Sequence, residues 1–516
     1  MTREPLLQLR VCNVSAVPDE ALALLFELAS RGLIDPQRAI SRRFLTPDLH
    51  FTDHGRNRVL QEVVESWLRT CANPSAPSVQ ELERLLASAP ELEKAYDVVV
   101  SGETWSLRAR APSRPLQSRD WSKGQWQFVF PRGRRRHFFA VAGAEFRALT
   151  ELFQYLNGTH TARQLSALFP KHRSLIKRFL AFARTNRLFT PVRRAPARPR
   201  PGVEFISHSS LQFTGRDANI MVDPCFILAE QQLSASGRDR RRFDAKFRQL
   251  DQVSAVLLTH AHWDHAHLPT LFRFRRDIPI FVPKVTHETY YNPALAPLLR
   301  SLGFTDVREV TLWKPERIGD VAFTPIPFFG EWFGPGSHFD AFCYVIEVNG
   351  MRYLGTVDSE RSERGNMDHV FEELRQRVGA IDCVFFCSSS QTHANPVMCG
   401  APAQYSNGFD VHAEFMRYHP NTEAIVRWSR TLEPSVVIPY AEFIFAATPP
   451  RPPVDLDAVN AKSHFKDYWR HVEANVSKTE PGLSEWKREL WELLPRLPKQ
   501  TRLVMMSPGE RMRVAS

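Results

Sequence analysis

The stretch that decides the fold is residues 255–265, Ala255-Val-Leu-Leu-Thr-His260-Ala-His262-Trp-Asp264-His265. Its four opening apolar residues are typical of a short strand buried on both faces. Three histidines and an aspartate follow within six residues, and Leu268-Pro-Thr-Leu-Phe then predicts a helix. The pattern predicts that these polar side chains lie at the carboxyl edge of a sheet, where open α/β layers place their sites.

The spacing of these polar side chains indicates a metal site. His260 and His262 alternate along an extended backbone, so both imidazoles can face one ion. Asp264 and His265 follow where the chain turns, within reach of a second ion. Imidazole and carboxylate ligands together suit borderline divalent metals such as zinc and iron. An isolated His-x-His is more often a surface pair, but this denser cluster after a buried strand predicts a metal centre.

Later strands offer further ligands at their ends. Thr324–Glu331 is predicted to be a strand that ends in a carboxylate, and Met351–Asp358 a strand that ends in an aspartate. The apolar run from Asp382 predicts a third buried strand, with His393 in the loop after it. These residues are candidates to complete the metal site.

The His-x-His-x-Asp-His motif is the hallmark of the metallo-β-lactamase superfamily, and residues from about 203 to 450 resemble that family. The resemblance implies an α/β fold of the αββα metallo-β-lactamase sandwich type. It also implies that Asp358 stands at the position of the family's bridging aspartate, with other ligands at later strand ends.

Glu331 marks a departure from the zinc hydrolases of this superfamily. Those enzymes normally supply a histidine between the first motif and the bridging aspartate, whereas this chain has Glu331, with His338 nearby. A carboxylate in place of an imidazole makes the site harder and more anionic, which favours iron over zinc. Zinc has no redox chemistry, so this substitution points towards oxygen activation.

The combination resembles the di-iron β-hydroxylases of the chloramphenicol-pathway type, which are monooxygenases that hydroxylate an aminoacyl group held on a carrier domain. The resemblance implies two iron ions, dioxygen as co-substrate and an external electron donor. It assigns His260, His262 and Glu331 to one iron, Asp264, His265 and His393 to the other, and Asp358 to the bridge, with Glu331 and Asp358 as the catalytic residues. Glu442 and His412 remain alternatives to His393.

A metal-dependent hydrolase is the second hypothesis. The runs Thr259–Leu271 and Val437–Phe443 also resemble the lactonase and sialic-acid-hydroxylase branch of the superfamily. In a hydrolase, zinc or manganese would activate a bridging water for attack on an ester, a lactone or a phosphodiester. A shared fold and shared ligands cannot separate hydrolysis from oxygenation. A non-enzymatic binding module is disfavoured, because a decayed site would have lost some of these residues.

The sequence divides into four predicted segments. Residues 1–124 alternate helical patterns with polar breaks and predict a mostly helical scaffold or interaction domain. Residues 125–191 predict a strand hairpin, three short helices and a closing strand, an α+β pattern that resembles a winged-helix module. Residues 192–202 form a Pro/Arg-rich linker. Residues 203–516 are the predicted catalytic domain with a C-terminal helical extension.

Two helix starts can be placed from the sequence. Ser78 and Glu81 have the spacing of a capping box, in which each side chain bonds the backbone of the other residue. Thr161 can cap a short helix that carries Leu165 and Leu168. These positions predict where two helices begin.

Composition limits the cellular setting. The 516 residues are 43% hydrophobic and 24% charged, which is typical of a soluble globular protein. No run reaches the ~18 apolar residues of a membrane span, and the N-terminus does not resemble a secretory signal. The seven cysteines have no repeated spacing. We therefore expect reduced thiols in the cytoplasm and no membrane contact.

The net charge of +11 favours acidic partners. Together with the resemblance, it makes an acidic carrier protein or a peptide substrate the expected partner. Nucleic acid is not expected, because the cluster Arg132–Arg136 is interpreted as a solvated hairpin turn. A homodimer is a candidate assembly.

Overall fold

The structure is a computed structural model, and it describes most of the chain. The described residues are 5–9, 14–31, 78–88, 96–102, 104–109, 122–132, 135–192, 199–226, 246–262, 264–286, 294–330, 340–362, 364–387, 404–406, 420–440, 454–455, 460–475 and 483–513.

The elements are numbered along the chain. The strands are β1 Leu6–Leu9, β2 Ser15–Pro18, β3 Tyr96–Ser101, β4 Thr104–Ala109, β5 Gln125–Arg132, β6 Arg135–Ala142, β7 Asn157–His160, β8 Phe189–Val192, β9 Gly202–Ser207, β10 Ser210–Thr214, β11 Asn219–Val222, β12 Ala255–Leu257, β13 Ile280–Pro283, β14 Val307–Val310, β15 Glu316–Ile318, β16 Val321–Pro327, β17 Phe342–Val348, β18 Met351–Gly355, β19 Arg361–Ser362, β20 Gly365–Asn366, β21 Cys383–Cys387, β22 Gln404–Ser406, β23 Val436–Tyr440, β24 Val454–Asp455, β25 Arg502–Leu503 and β26 Arg511–Arg513. The helices are α1 Asp19–Ser30, α2 Val79–Ser88, α3 Gly143–Leu152, α4 Ala162–Leu168, α5 Arg173–Thr185, α6 Leu268–Leu271, α7 Leu295–Ser301, α8 Met367–Val378, α9 Thr422–Leu432, α10 Ala461–Asn475 and α11 Leu483–Leu493.

The first large sheet carries the histidine motif and has the order β14-β13-β12-β11-β10-β9-β26-β24. Strands β9 to β11 pair antiparallel, whereas β11 to β14 run parallel. The register sets Val222 beside Leu257. Residues that directly follow β11 and β12 therefore share one sheet edge, and these include Asp223 and His260.

The second large sheet has the order β15-β16-β17-β18-β21-β23-β25. It begins as an antiparallel meander and continues with β18, β21, β23 and β25 in parallel. The carboxyl ends of these four strands meet at one edge. Asp358, three residues beyond β18, lies at this edge.

The two sheets pack face to face, and successive residues of the first sheet's central strand alternate between two cores. Ala255 and Leu257 lie in the core between the sheets, whereas Val256 and Leu258 lie in a second core on the outer face of the first sheet. Helices α8 and α9 cover the outer face of the second sheet, where the rings of Phe371 and Trp428 meet at 5.0 Å. The predicted αββα sandwich is thus confirmed.

The N-terminal region supplies much of the cover for the first sheet. Leu9, Phe130, Phe179 and other apolar side chains of residues 5–192 share one buried cluster with the outer face of that sheet. Strand β1 pairs between β7 and β8, and β2 pairs with β5. Residues at the start of the chain therefore complete the sheets of the following module.

The elements predicted for residues 125–191 are present: the hairpin β5–β6, the helices α3, α4 and α5, and the strand β8. The capping box predicted at Ser78 and the helix cap predicted at Thr161 are also present. Ser78 exchanges hydrogen bonds with Glu81, and Thr161 exchanges them with Gln164. The winged-helix assignment and the domain limits stay predictions. Residues 1–124 also contain β1 to β4, which the helical patterns did not indicate.

The C-terminal helices α10 and α11 lead into strands that complete both large sheets, since β25 joins the second and β26 the first. None of the described helices combines the length and the apolar character needed to cross a membrane. The cysteines among the described residues are buried and form no disulfide: Cys225, Cys343, Cys383 and Cys387.

Arg273 joins the N-terminal region to the first sheet. Its side chain is 2% exposed, donates to Asn157 Oδ1 at 2.8 Å and to the carbonyl oxygens of Leu9 and Leu156 at 3.2 and 3.1 Å, and stacks over Phe247 at 4.3 Å. A buried guanidinium that holds several acceptors is costly to remove, because the acceptors lose their partner without regaining water.

We expect Arg273→Met to lower the free energy of unfolding by about 3 kcal/mol. The matched control is Arg216→Met, because the Arg216 side chain is 85% exposed and donates to the neighbouring Asp217, itself 57% exposed. That control should leave the urea midpoint nearly unchanged. Urea unfolding followed by tryptophan fluorescence checks both, and equal midpoints for the two variants would contradict this role of Arg273.

Candidate metal centre

The histidine motif lies in a tight turn directly after β12. The backbone N–H groups of His265 and Ala266 both donate to the carbonyl oxygen of His262, at 3.0 and 2.8 Å. This turn folds the motif on itself, so that the ring centroids of His260 and His265 are 3.9 Å apart and those of His260 and His262 are 4.6 Å apart. His260 and His265 are buried. The structure therefore brings together the three imidazoles predicted to bind metal.

Asp358 brings the second sheet to this turn. Its Oδ2 atom lies 2.9 Å from Nε2 of His265 and 4.0 Å from Nε2 of His260. The carboxylate thus faces two of the three imidazoles at once. His260, His265 and Asp358 form a group whose ligand atoms could hold one metal ion.

Asp264 meets a residue from the hairpin between β9 and β10. Its Oδ2 atom lies 3.1 Å from Nε2 of His208, a buried residue with a φ of 40°. The hydroxyl of Ser209 donates to the carbonyl oxygen of Asp264 at 2.9 Å. His208, Asp264 and His265 form a second group with metal-ligand geometry.

Asp223 orients His265 directly and His260 through Thr259. Its carboxylate accepts the backbone N–H and the hydroxyl of Thr259 at 2.8 and 2.6 Å, and Nδ1 of His265 at 2.8 Å. Because the hydroxyl proton of Thr259 goes to Asp223, its oxygen can accept from Nδ1 of His260, 2.9 Å away. Both imidazoles are then protonated at Nδ1, which leaves Nε2 as the metal ligand.

The electrostatic surroundings of this cluster favour a bound cation. Burial and the neighbouring His265 and His262 hold the pKa of His260 well below its usual value, so its imidazole stays neutral. Burial also acts to lower the pKa of His265, but the carboxylates of Asp358 and Asp223 raise it well above the usual range. A positive charge is thus favoured between His265 and the carboxylates, and a metal ion could take the place of that proton.

The turn before Asp358 is strained, and a side chain from another strand holds it in place. Val357 has a φ of 52°, which is rare for a β-branched residue and costs about 1–3 kcal/mol. The buried hydroxyl of Tyr440, at the end of β23, accepts the N–H of Val357 at 3.0 Å. This hydrogen bond fixes the backbone that presents Asp358.

His267 has a structural role. It is fully buried, and its Nδ1 lies 2.7 Å from the hydroxyl of Thr270 in the first turn of α6. Burial lowers its pKa to about 3, so the ring stays neutral. The fourth histidine of the run therefore stabilises the helix start.

Several predicted ligands lie outside the described residues: Glu331, His338, His393, His412 and Glu442. Gly330, directly before Glu331, forms a β-bridge with Ser359, and a Cβ atom at residue 330 would lie 2.3 Å from the carbonyl oxygen of Asp358. The chain therefore reaches Glu331 from a position packed against the Asp358 turn.

Two residues of the site were not predicted from sequence as metal-site residues. Asp223 and His208 do not belong to the predicted ligand set, yet each contacts a motif residue. The sequence signal for Asp223 is a carboxylate directly after a buried strand next to β12. His208 directly follows β9 in the same way. Polar residues directly after any strand of the motif's sheet are therefore candidates for the metal site.

A family model described as the beta-lactamase superfamily domain matches residues 218–440, which span the motif and Asp358. The chain contains a metallo-β-lactamase-fold domain. A curated relative from Streptomyces venezuelae, named 4-amino-L-phenylalanyl-(CmlP-peptidyl-carrier-protein) 3-hydroxylase, is 31% identical over 157 residues. That match covers 29% of this chain and 29% of the relative.

The chain also shares its fold with a solved structure. The crystal structure of CmlA, a diiron β-hydroxylase from Streptomyces venezuelae, superposes with a TM-score of 0.55 at 17% identity and covers 99% of this chain and 100% of that chain. An isothiocyanate hydrolase from Delia radicum gut bacteria has a TM-score of 0.35 at 14% identity and covers 61% of this chain and 99% of that chain. The first likeness extends the shared fold beyond the metallo-β-lactamase domain to the N-terminal region.

We expect Asp223→Asn to lower metal affinity by about 10- to 100-fold, because an amide cannot accept all three hydrogen bonds and so loses control of the histidine orientation. Metal titration of the apoprotein, followed by calorimetry, measures this change. Asp217→Asn is the control, since that carboxylate lies in the turn between β10 and β11 of the same sheet and is 57% exposed. Unchanged affinity in Asp223→Asn would show that the histidines orient themselves without it.

Proposed function

We propose that this chain is a di-iron, oxygen-dependent hydroxylase that acts on an aminoacyl group attached to a carrier protein. The relative from Streptomyces venezuelae is named as a hydroxylase of such a group, and it matches part of the chain. CmlA, described as a diiron β-hydroxylase, has the same fold over nearly the whole chain. Both likenesses support an oxygenase within a superfamily that also contains hydrolases.

One observation carries the proposal: the Asp358 carboxylate lies between His265 and His260, at 2.9 and 4.0 Å from their Nε2 atoms. A carboxylate in that position suits a bridge between two metal ions. In the proposed centre Asp358 would be shared by both ions, His260, His262 and Glu331 would hold one ion, and Asp264, His265 and His393 would hold the other.

The donor set of this centre fits iron. Three carboxylates (Asp264, Glu331 and Asp358) accompany the imidazoles, and such oxygen-rich sets suit harder cations than thiolate sites do. Bound iron would supply the redox chemistry for oxygen activation, which zinc cannot supply.

The protein's own side chains prepare the site for this chemistry. Asp223 fixes the tautomer of His265, and His208 holds the Asp264 carboxylate in place. Phe328, buried and 6.0 Å from the ring of His260, keeps one side of the cluster dry. A preorganised, partly dehydrated ligand set reduces the reorganisation needed during reaction.

The test uses protein purified from iron-supplemented cells. We expect about two irons per chain, oxygen consumption on reduction, and the gain of one oxygen atom on an aminoacyl group loaded on a peptidyl carrier domain, measured by mass spectrometry. Asp358→Ala should abolish the product, whereas Asp217→Asn should retain it. Turnover without oxygen by the zinc- or manganese-loaded protein, with release of an acid, would overturn the proposal in favour of a hydrolase.

We expect Glu331→His to shift metal preference from iron towards zinc, because the exchange restores the histidine of the zinc hydrolases. Cells supplied with equal iron and zinc provide the measurement: the iron-to-zinc ratio of the purified variant should fall about tenfold relative to the unmodified chain. Glu316→His is the control, since Glu316 lies in the edge strand β15. A ratio unchanged by Glu331→His would exclude Glu331 as a ligand.

A further inference from the structure

The C-terminal helices α10 and α11 enclose a groove that the metal site does not use. Their inner faces are anchored in the main core by Tyr468, Val472, Leu490 and Leu493. On the solvent side the helices leave a cavity of about 600 Å³. The groove is therefore part of a firmly packed surface.

The centre of this groove is aromatic. Phe465, Trp469 and Trp491 line it, and the Phe465 ring lies 5.3 Å from Trp491 and 6.0 Å from Trp469. Phe465 and Trp469 are each 1% exposed and form the floor of the groove, whereas Trp491 is 43% exposed and is the ring that a partner can reach. Tryptophans in such concave surroundings are frequent anchors of protein–protein interfaces.

The rim of the groove is basic. Four basic residues and one acidic residue complete its lining: Lys466, Arg470, Lys487, Arg488 and Glu473. Three of these cations already have partners on the same helices: Arg470 lies 2.8 Å from Asp467, Arg488 lies 3.9 Å from Glu492, and Lys487 pairs with Glu473. All six side chains of these pairs are at least 40% exposed. Such exposed pairs contribute little, so the cations can turn to the carboxylates of a partner at small cost.

The groove starts at the same sheet edge as the metal centre. Strand β25 runs parallel to β23, and the chain beyond it reaches Met505, whose backbone contacts the ring of His464 at the start of α10. Phe465 and Lys466 follow directly. Between β18, which leads to Asp358, and β25 lie three inter-strand spacings, about 14 Å in all.

We propose that this groove docks an acidic helix of the carrier protein, with Trp491 as the apolar anchor and the basic rim facing the carboxylates. The proposal rests on the proposed function, because it names the partner that presents the aminoacyl group. An aromatic groove with a basic rim complements an amphipathic acidic helix in both shape and charge. From this position, the flexible arm of the carrier can pass along the sheet edge towards Asp358.

The test measures binding without chemistry. The full-length, metal-loaded chain is titrated with the apo peptidyl carrier domain of CmlP, which carries no aminoacyl group. We expect Trp491→Ala, and separately the double variant Arg470→Glu with Arg488→Glu, to weaken binding by about tenfold or more. The control reverses two exposed charges on the N-terminal module, Lys171→Glu with Arg173→Glu, and should change the Kd less than twofold. Matching melting temperatures exclude misfolding as the cause.

Hydrogen exchange locates the footprint independently of the variants. We expect the bound carrier to slow exchange in α10 and α11, and the affinity to fall as salt rises. A footprint elsewhere, or a Kd that the groove variants leave unchanged, overturns the docking site and leaves the hydroxylase proposal intact. Absence of carrier binding overturns it too, whereas the hydroxylase proposal itself fails only in the oxygen-dependent assay above. Protection of the groove that appears without carrier and disappears on dilution would assign it to a second copy of the chain.

Discussion

The 2.9 Å contact between the Asp358 carboxylate and the His265 imidazole joins side chains of the two sheets at the candidate metal centre. It forms only if β12 and β18 end at the same height on facing sheets. Two further bonds set that height: the N–H of Phe342 donates to the carbonyl oxygen of Thr259 at 2.9 Å, and the hydroxyl of Tyr344 donates to that of Leu258 at 3.0 Å. The packing of the sandwich therefore determines the geometry of the metal centre.

Much of this architecture could be predicted because its signals are local. The ligand motif, the buried strand before it and the capping boxes each involve residues within a few positions of one another. His208 and Asp223 could not be assigned in the same way, because their roles arise from strand pairing. Asp223 reaches Thr259 only through the parallel register of β11 with β12, and His208 reaches Asp264 from a hairpin at a positive φ. Periodicity does not report such long-range register.

The N-terminal region also depends on long-range strand pairing that the sequence pattern does not reveal. A chain read in order suggests a scaffold followed by a separate module, but β1 inserts between β7 and β8, more than a hundred residues later. Arg273, which lies between α6 and β13, donates hydrogen bonds to Leu9 in β1 and to Leu156 just before β7. The shared apolar cluster means that this region and the outer face of the sheet exclude water from each other. The N-terminal region therefore stabilises the layer that carries the histidine motif.

Backbone strain and charge at the site both favour metal binding. Val357, Asp223 and His208 all have positive φ, and each stands at or beside a predicted ligand. Such conformations persist only where surrounding contacts impose them. The Tyr440 hydroxyl accepts the N–H of Val357, and the carbonyl oxygen of Leu257 accepts the N–H of Asp223 at 2.9 Å. The carboxylates of Asp223 and Asp358 lie against the two ring nitrogens of His265 and favour a positive charge there. A bound metal could supply that charge, so folding and metal binding should reinforce each other, with the strained backbone holding the ligands in position beforehand.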